Sequence, residues 1–139
     1  MTPGALGQLV EESRHASGVP ASFTLMLDDS ASMPAPTARA AHRVLQEALT
    51  NARKHGRAGA GEASVVGGPR TGVRLTVSNP VGSGPGAVPG AGRGLEGVRE
   101  RVSLLGGTVT TTVENGVHTL EVWLPWSPPL SPAPTSPTD

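Results

Sequence analysis

Four polar side chains between residues 47 and 55 have types and a spacing that suit phosphate chemistry. Glu47, Asn51, Lys54 and His55 recur three or four residues apart, which places them on one face if the segment is helical. A carboxylate can accept a proton, a carboxamide oxygen can bind Mg²⁺, and an ammonium group and an imidazole can donate to phosphate oxygens. The set therefore suits a magnesium-bound polyphosphate. Taken alone, however, this helix is better interpreted as a solvated face with a cationic last turn.

A second candidate feature is the glycine pattern Gly92-Arg93-Gly94-Leu95-Glu96-Gly97, which opens a predicted helix. Glycines at a helix N-terminus let backbone N–H groups approach an anion. The pattern also matches a dinucleotide-binding fingerprint, but in that fold the glycines follow their strand almost at once. Here the long stretch from Asn79 to Gly92 intervenes. A plain loop hinge remains as the alternative to phosphate binding.

Hydrophobic periodicity predicts the elements that must position these residues. The apolar stripe Val44, Leu45, Ala48, Leu49 and Ala52 predicts a long helix over 38–55, capped by Thr37 and ended by Gly56. A similar stripe predicts a helix over 93–105, closed by Gly106 and Gly107. The remaining predicted elements are a short N-terminal helix ending at Gly18, a strand over 19–27 with Leu25 on its buried side, and strands over 63–66, 73–78, 108–113 and 117–124.

This order predicts the α/β class: a two-layer sandwich in which three helices cover one face of a mixed, mostly antiparallel sheet. The stretch from Asn79 to Gly92 has no periodicity and is predicted to be a loop. The segment 127–139 carries five prolines and is predicted to be a disordered tail.

Composition narrows the function classes. The chain has 139 residues, the size of one domain, with 11 Lys and Arg against 11 Asp and Glu. This balance indicates no nucleic-acid partner and no direct membrane contact. There is no cysteine, and no apolar run approaches the length needed to cross a bilayer. We therefore expect a cytoplasmic protein.

Two segments carry a resemblance to a known family. His-Arg-Val-Leu-Gln-Glu-Ala-Leu-Thr-Asn-Ala-Arg-Lys-His, residues 42–55, and Gly-Arg-Gly-Leu-Glu-Gly-Val-Arg-Glu-Arg-Val-Ser-Leu-Leu-Gly-Gly, residues 92–107, resemble the N box and the second glycine box of bacterial sensor histidine kinases. The similarity extends over roughly residues 6–125. It indicates the ATP-binding catalytic domain of the superfamily shared with gyrase, Hsp90 and MutL, and more narrowly the kinases that pair with NarL/LuxR-type response regulators.

The resemblance implies a Bergerat-type ATP-binding fold and a set of roles. Asn51 would hold Mg²⁺ against the triphosphate, and Glu47 would polarise the attacking group or a metal-bound water. Lys54 and His55 would contact phosphate oxygens. The backbone at Gly92, Gly94 and Leu95 would cradle the phosphate chain, and residues 80–91 would form a lid over ATP.

The chain departs from the family pattern at two points. The strand that normally ends in an aspartate, which accepts from the adenine amine, ends here in Asn79, followed by Pro80. The dimerising helical hairpin that carries the phosphoacceptor histidine has no counterpart in the sequence, where residues 1–18 only lead into a domain over 19–126. We therefore expect transfer of the γ-phosphoryl group to a histidine on a separate dimerisation domain. A non-catalytic ATP-binding or protein-interaction module is the alternative, and a dinucleotide-dependent oxidoreductase is a distant third.

Overall fold

The computed structural model describes residues 4–17, 22–55, 61–80 and 93–127, and it leaves out the side chains of residues 17, 53–55 and 93–95. The predicted glycine ends of the first two helices, the body of the lid and the proline-rich tail lie outside this description. The described elements are α1 (Gly4–Ser17), β1 (Ser22–Leu27), a short 3-10 turn (Ser30–Ser32), α2 (Ala35–His55), β2 (Glu62–Gly68), β3 (Gly72–Pro80), α3 (Arg93–Leu104), β4 (Thr108–Glu114) and β5 (Val117–Leu124).

The five strands form one sheet in the order β1-β2-β3-β5-β4. β1 runs parallel to β2, and every other neighbouring pair is antiparallel. The predicted two-layer α/β sandwich with a mixed, mostly antiparallel sheet is confirmed. β3 lies at the centre of the sheet and is longer than predicted, because Asn79 and Pro80 continue its pairing with β5 instead of starting a loop.

The core lies between the helices and one face of the sheet. Val65, Leu75 and Val122 stand opposite one another on three adjacent strands and are fully buried. Val44 and Leu45 belong to the α2 stripe that buries against this layer. Within the described part of the chain, no helix combines the length and apolarity needed to cross a membrane.

Leu25 is less buried than its alternation predicts, with 39% of its surface exposed. It belongs to β1, which is an edge strand of the sheet. A residue at an edge has a neighbouring strand on one side only, so the same alternation that buries Val65 on β2 leaves Leu25 half open.

The prediction that Thr37 caps α2 is wrong. The helix already begins at Ala35, and the Ala38 N–H donates to the Pro34 carbonyl at 3.0 Å. Pro36 is tolerated in the first turn, where a missing N–H leaves no intrahelical bond unmade. Thr37 is instead buried, and its hydroxyl donates to the Trp126 carbonyl at 2.6 Å. It thereby fixes the chain beyond β5 to the start of α2.

Replacing Thr37 with valine is expected to lower the free energy of unfolding by about 1–2 kcal/mol, because the buried Trp126 carbonyl would lose its donor. Thr50→Val is the matched control, since the Thr50 hydroxyl donates to the Gln46 carbonyl at an exposed position of the same helix. Urea unfolding followed by circular dichroism would measure both. Equal losses in the two variants would contradict the assigned role of the buried bond.

The tight turn between β4 and β5 and the glycine-containing end of α3 were both predicted correctly. Asn115 and Gly116 both have positive φ, of 53° and 76°, which makes a tight turn between β4 and β5. At the end of α3, Gly106 has a φ of 85°. Its N–H donates to the Ser103 carbonyl, and the Gly107 N–H donates to the Val102 carbonyl. This pattern closes the helix in a Schellman motif.

Candidate functional site

The polar face of α2 presents Glu47 and Asn51 one turn apart, beside the buried stripe. Both side chains are partly exposed. The Glu47 side chain is 31% exposed, and its carboxylate lies 3.6 Å from the Arg43 Nε. This is a weak surface pair at i,i+4 spacing, and it leaves the carboxylate accessible. Within the described ranges, no hydrogen bond occupies the Asn51 carboxamide, so its oxygen is available to a ligand.

The other predicted phosphate contacts fall at the limits of the described chain. Lys54 and His55 form the last turn of α2, but their side chains are outside the description. Gly92 precedes the described segment, whereas Gly94 and Leu95 lie in the first turn of α3. The N–H groups of a first helical turn have no acceptor inside the helix and favour an anion.

Asn79 lies on the face of β3 that carries Leu75 and Val77, toward the helices. It is buried, with 5% of its surface exposed. Its Nδ2 donates to the Pro80 carbonyl at 3.2 Å, which orients the carboxamide oxygen away from that carbonyl. A Cβ on Gly61 would lie 3.0 Å from the Ser78 carbonyl oxygen and 3.5 Å from the Asn79 Cβ, so the chain before β2 passes close to this residue.

His118 is the site neighbour that the sequence interpretation missed. It stands directly opposite Asn79 in the pairing of β3 with β5, and it is buried, with 8% exposed. From the sequence alone, His118 was interpreted as an ordinary strand residue with no functional role. The available signal was its alternation with Leu120 and Val122, which predicts that it faces the core.

The structure thus forms two polar pairs on adjacent elements. One helix face brings Glu47 and Asn51 together, strand pairing brings Asn79 and His118 together, and α2 packs against β3.

The Glu47 and Asn51 side chains suit a Mg²⁺ ion that takes most of its ligands from water and substrate phosphates. Among the residues that the structure describes, no three His, Asp or Glu side chains gather into a metal cluster. On this face of α2, Asn51 offers one carboxamide oxygen and Glu47 one carboxylate. Mg²⁺ commonly binds through one or two such groups and completes its shell with water and substrate phosphates.

Comparisons with known proteins show the family and the fold. Residues 37–128 match the family described as histidine kinase-, DNA gyrase B- and HSP90-like ATPase. The histidine kinase domain of the blue-light activated histidine kinase from Erythrobacter litoralis EL346 is 26% identical. It aligns with a TM-score of 0.67 over 91% of this chain and 66% of that one. No curated protein sequence gives a significant match.

Two further solved structures share the fold at lower identity. The mycobacterial sensor histidine kinase MprB is 17% identical, with a TM-score of 0.56 over 90% of this chain and 95% of that one. Full-length ShkA, solved in complex with AMPPNP, is 23% identical, with a TM-score of 0.60 over 91% of this chain and 30% of that one. The chain therefore spans less than two thirds of the Erythrobacter domain and of ShkA.

Proposed function

Because the chain belongs to the histidine kinase-, DNA gyrase B- and HSP90-like ATPase family, we propose that it is the ATP-binding catalytic domain of a sensor histidine kinase. In this proposal it transfers the γ-phosphoryl group of ATP to a histidine on a dimerisation domain outside this chain. The observation that carries the proposal is the placement of Glu47 and Asn51 on one partly exposed face of α2, where the Asn51 carboxamide makes no hydrogen bond to the other described residues.

Each polar group near the phosphates has a proposed role. The Asn51 oxygen binds Mg²⁺, and Glu47 polarises the attacking group or a metal-bound water. Lys54 and His55 donate to phosphate oxygens, and the backbone of Gly92, Gly94 and Leu95 cradles the phosphate chain. Bound Mg²⁺ supplies charge that offsets the triphosphate, and phosphoryl transfer depends mainly on such neutralisation and on positioning.

Asn79 is the proposed contact to the adenine amine. Its buried position on β3 and its orientation by the Pro80 carbonyl support this role. A carboxamide oxygen accepts a hydrogen bond as a carboxylate does, but without the added strength of a charge. The proposed site therefore binds adenine more weakly than a site with aspartate at this position.

The finer assignments follow from the sequence resemblance. The parent kinase is proposed to pair with a NarL/LuxR-type response regulator and to act in the cytoplasm, with no nucleic-acid partner and no direct membrane contact by this domain. Residues 1–18 lead into the catalytic domain, residues 19–126 form it with residues 81–91 within its lid, and residues 127–139 are a tail.

A second candidate function is a non-catalytic ATP-binding or protein-interaction module derived from such a kinase. The observation that favours it is Asn79 at the position where the family has aspartate. Mixing the chain with γ-labelled ATP, Mg²⁺ and the dimerisation domain of its parent kinase separates the two functions. Label on histidine supports the kinase, whereas saturable ATP binding without any transfer supports the second function.

Asn79→Asp is expected to tighten ATP binding about tenfold, equivalent to about 1.4 kcal/mol, because the contact to the adenine amine gains a charge. Asn115→Asp makes the same chemical change in an exposed turn and should leave the Kd unchanged. Isothermal titration calorimetry would measure both variants. An unaltered Kd for Asn79→Asp would remove Asn79 from the adenine site.

A further inference from the structure

A groove of about 580 Å³ lies between the first half of α2 and the end of α3. We call it the α2–α3 groove. It is lined by cationic and apolar residues, namely Pro36, Arg39, Ala40, Arg43, Arg101, Leu104 and Leu105. The groove is at the opposite end of α3 from the proposed phosphate cradle, about 16 Å away along the helix. On α2, however, it adjoins the proposed nucleotide site, because its lining residue Arg43 lies 3.6 Å from Glu47.

The charge of the groove is unbalanced. Three arginines line it, and none of its described lining residues is acidic. Arg43 forms a weak ion pair with Glu47, with 3.6 Å between the Arg43 Nε and the Glu47 carboxylate. Within the described residues, Arg39 and Arg101 form no ion pair. Guanidinium groups pair with carboxylates in a planar, two-pronged geometry, so two uncompensated arginines beside a concave surface suit an acidic ligand.

The groove also has an apolar rim. Leu104, the last residue of α3, is 83% exposed, while Leu105 is partly buried against the core. A single exposed leucine needs no explanation by itself. Here, however, it stands beside the unpaired arginines, so one surface offers both a hydrophobic contact and charge to the same partner.

We propose that the α2–α3 groove binds an acidic segment of a partner protein. The segment places an apolar side chain against Leu104 and Leu105 and carboxylates against Arg39 and Arg101. A nucleic acid would use the arginines without the leucines, and the chain as a whole carries no net positive charge that would favour it. This inference goes beyond the proposed nucleotide chemistry and does not depend on it.

The test uses a fluorescein-labelled helical peptide with leucines along one face and glutamates beside them, titrated with the full chain and followed by fluorescence anisotropy without nucleotide. Arg101→Glu and Leu104→Ser are each expected to weaken binding about tenfold. Arg70→Glu, an equal charge change in the exposed turn between β2 and β3, and Met26→Ser, an equal apolar loss on β1, are the matched controls. Both controls should bind as the wild type does.

Three results would overturn the proposal: equal weakening by Arg70→Glu, equal binding of a peptide with lysines in place of the glutamates, or tighter binding of duplex DNA than of the acidic peptide. Leu104 and Arg101 lie at the surface of a helix end, so circular dichroism should show both variants folded. Because nucleotide is absent, a negative outcome leaves the ATP proposal untouched.

Discussion

Asn51→Ala is expected to weaken Mg²⁺-dependent ATP binding about 100-fold, equivalent to about 2.7 kcal/mol. Loss of groups that only support a metal ligand commonly lowers metal affinity 10- to 100-fold, so loss of a ligand itself should reach the upper end of that range. Alanine keeps α2 helical. Binding measured with EDTA in place of Mg²⁺ should therefore change little, because the substitution acts through the ion.

Gln46→Ala is the matched control for this effect. Gln46 is another carboxamide on α2, but it is exposed and lines the surface shared with α1. Its loss should leave the Kd for ATP unchanged with and without Mg²⁺. Calorimetric titrations of the three proteins in both buffers decide the point. If Asn51→Ala weakened binding equally with and without Mg²⁺, Asn51 would not be the magnesium ligand.

Gly107→Ala is expected to lower the free energy of unfolding by about 3 kcal/mol, the upper range for overpacking. A Cβ at this position would lie 2.2 Å from the Trp123 carbonyl oxygen and 2.8 Å from a methyl group of Val102. The first neighbour is backbone of the sheet and cannot rotate away. The connection between α3 and β4 would have to shift, and the Gly107 N–H bond to the Val102 carbonyl would be strained.

Gly97→Ala gives the control in the same helix. A Cβ there meets nothing within 4 Å, and alanine has the better helix propensity, so stability should rise by up to about 1 kcal/mol. Chemical unfolding of both variants tests the pair. If both substitutions lowered the free energy of unfolding by similar amounts, the close packing around Gly107 would not explain why glycine is required there.

Much of the fold could be predicted because its signals are local. The stripe around Val44 and Leu45 has helical period, the strand residues alternate, and Asn115-Gly116 specifies its own turn. Glu47 and Asn51 share a face simply because they are one turn apart. The α/β class and the polar face of α2 were therefore available from the sequence.

The features that escaped prediction depend on partners distant in sequence. The position of Thr37 in the sequence is typical of a helix cap, but its hydroxyl donates to the Trp126 carbonyl, 89 positions away. His118 gains its place beside Asn79 only through the β3–β5 register. The exposure of Leu25 depends on β1 being an edge strand, and the strand order of a sheet is not a local property of the chain.

The most direct test of the central claim is a titration of the wild-type chain with ATP, in Mg²⁺ and in EDTA. The proposed function predicts saturable binding of one ATP per chain that is tighter in Mg²⁺, and a clear preference for ATP over NAD. Absence of saturable ATP binding in Mg²⁺ would contradict it, as would tighter binding of NAD.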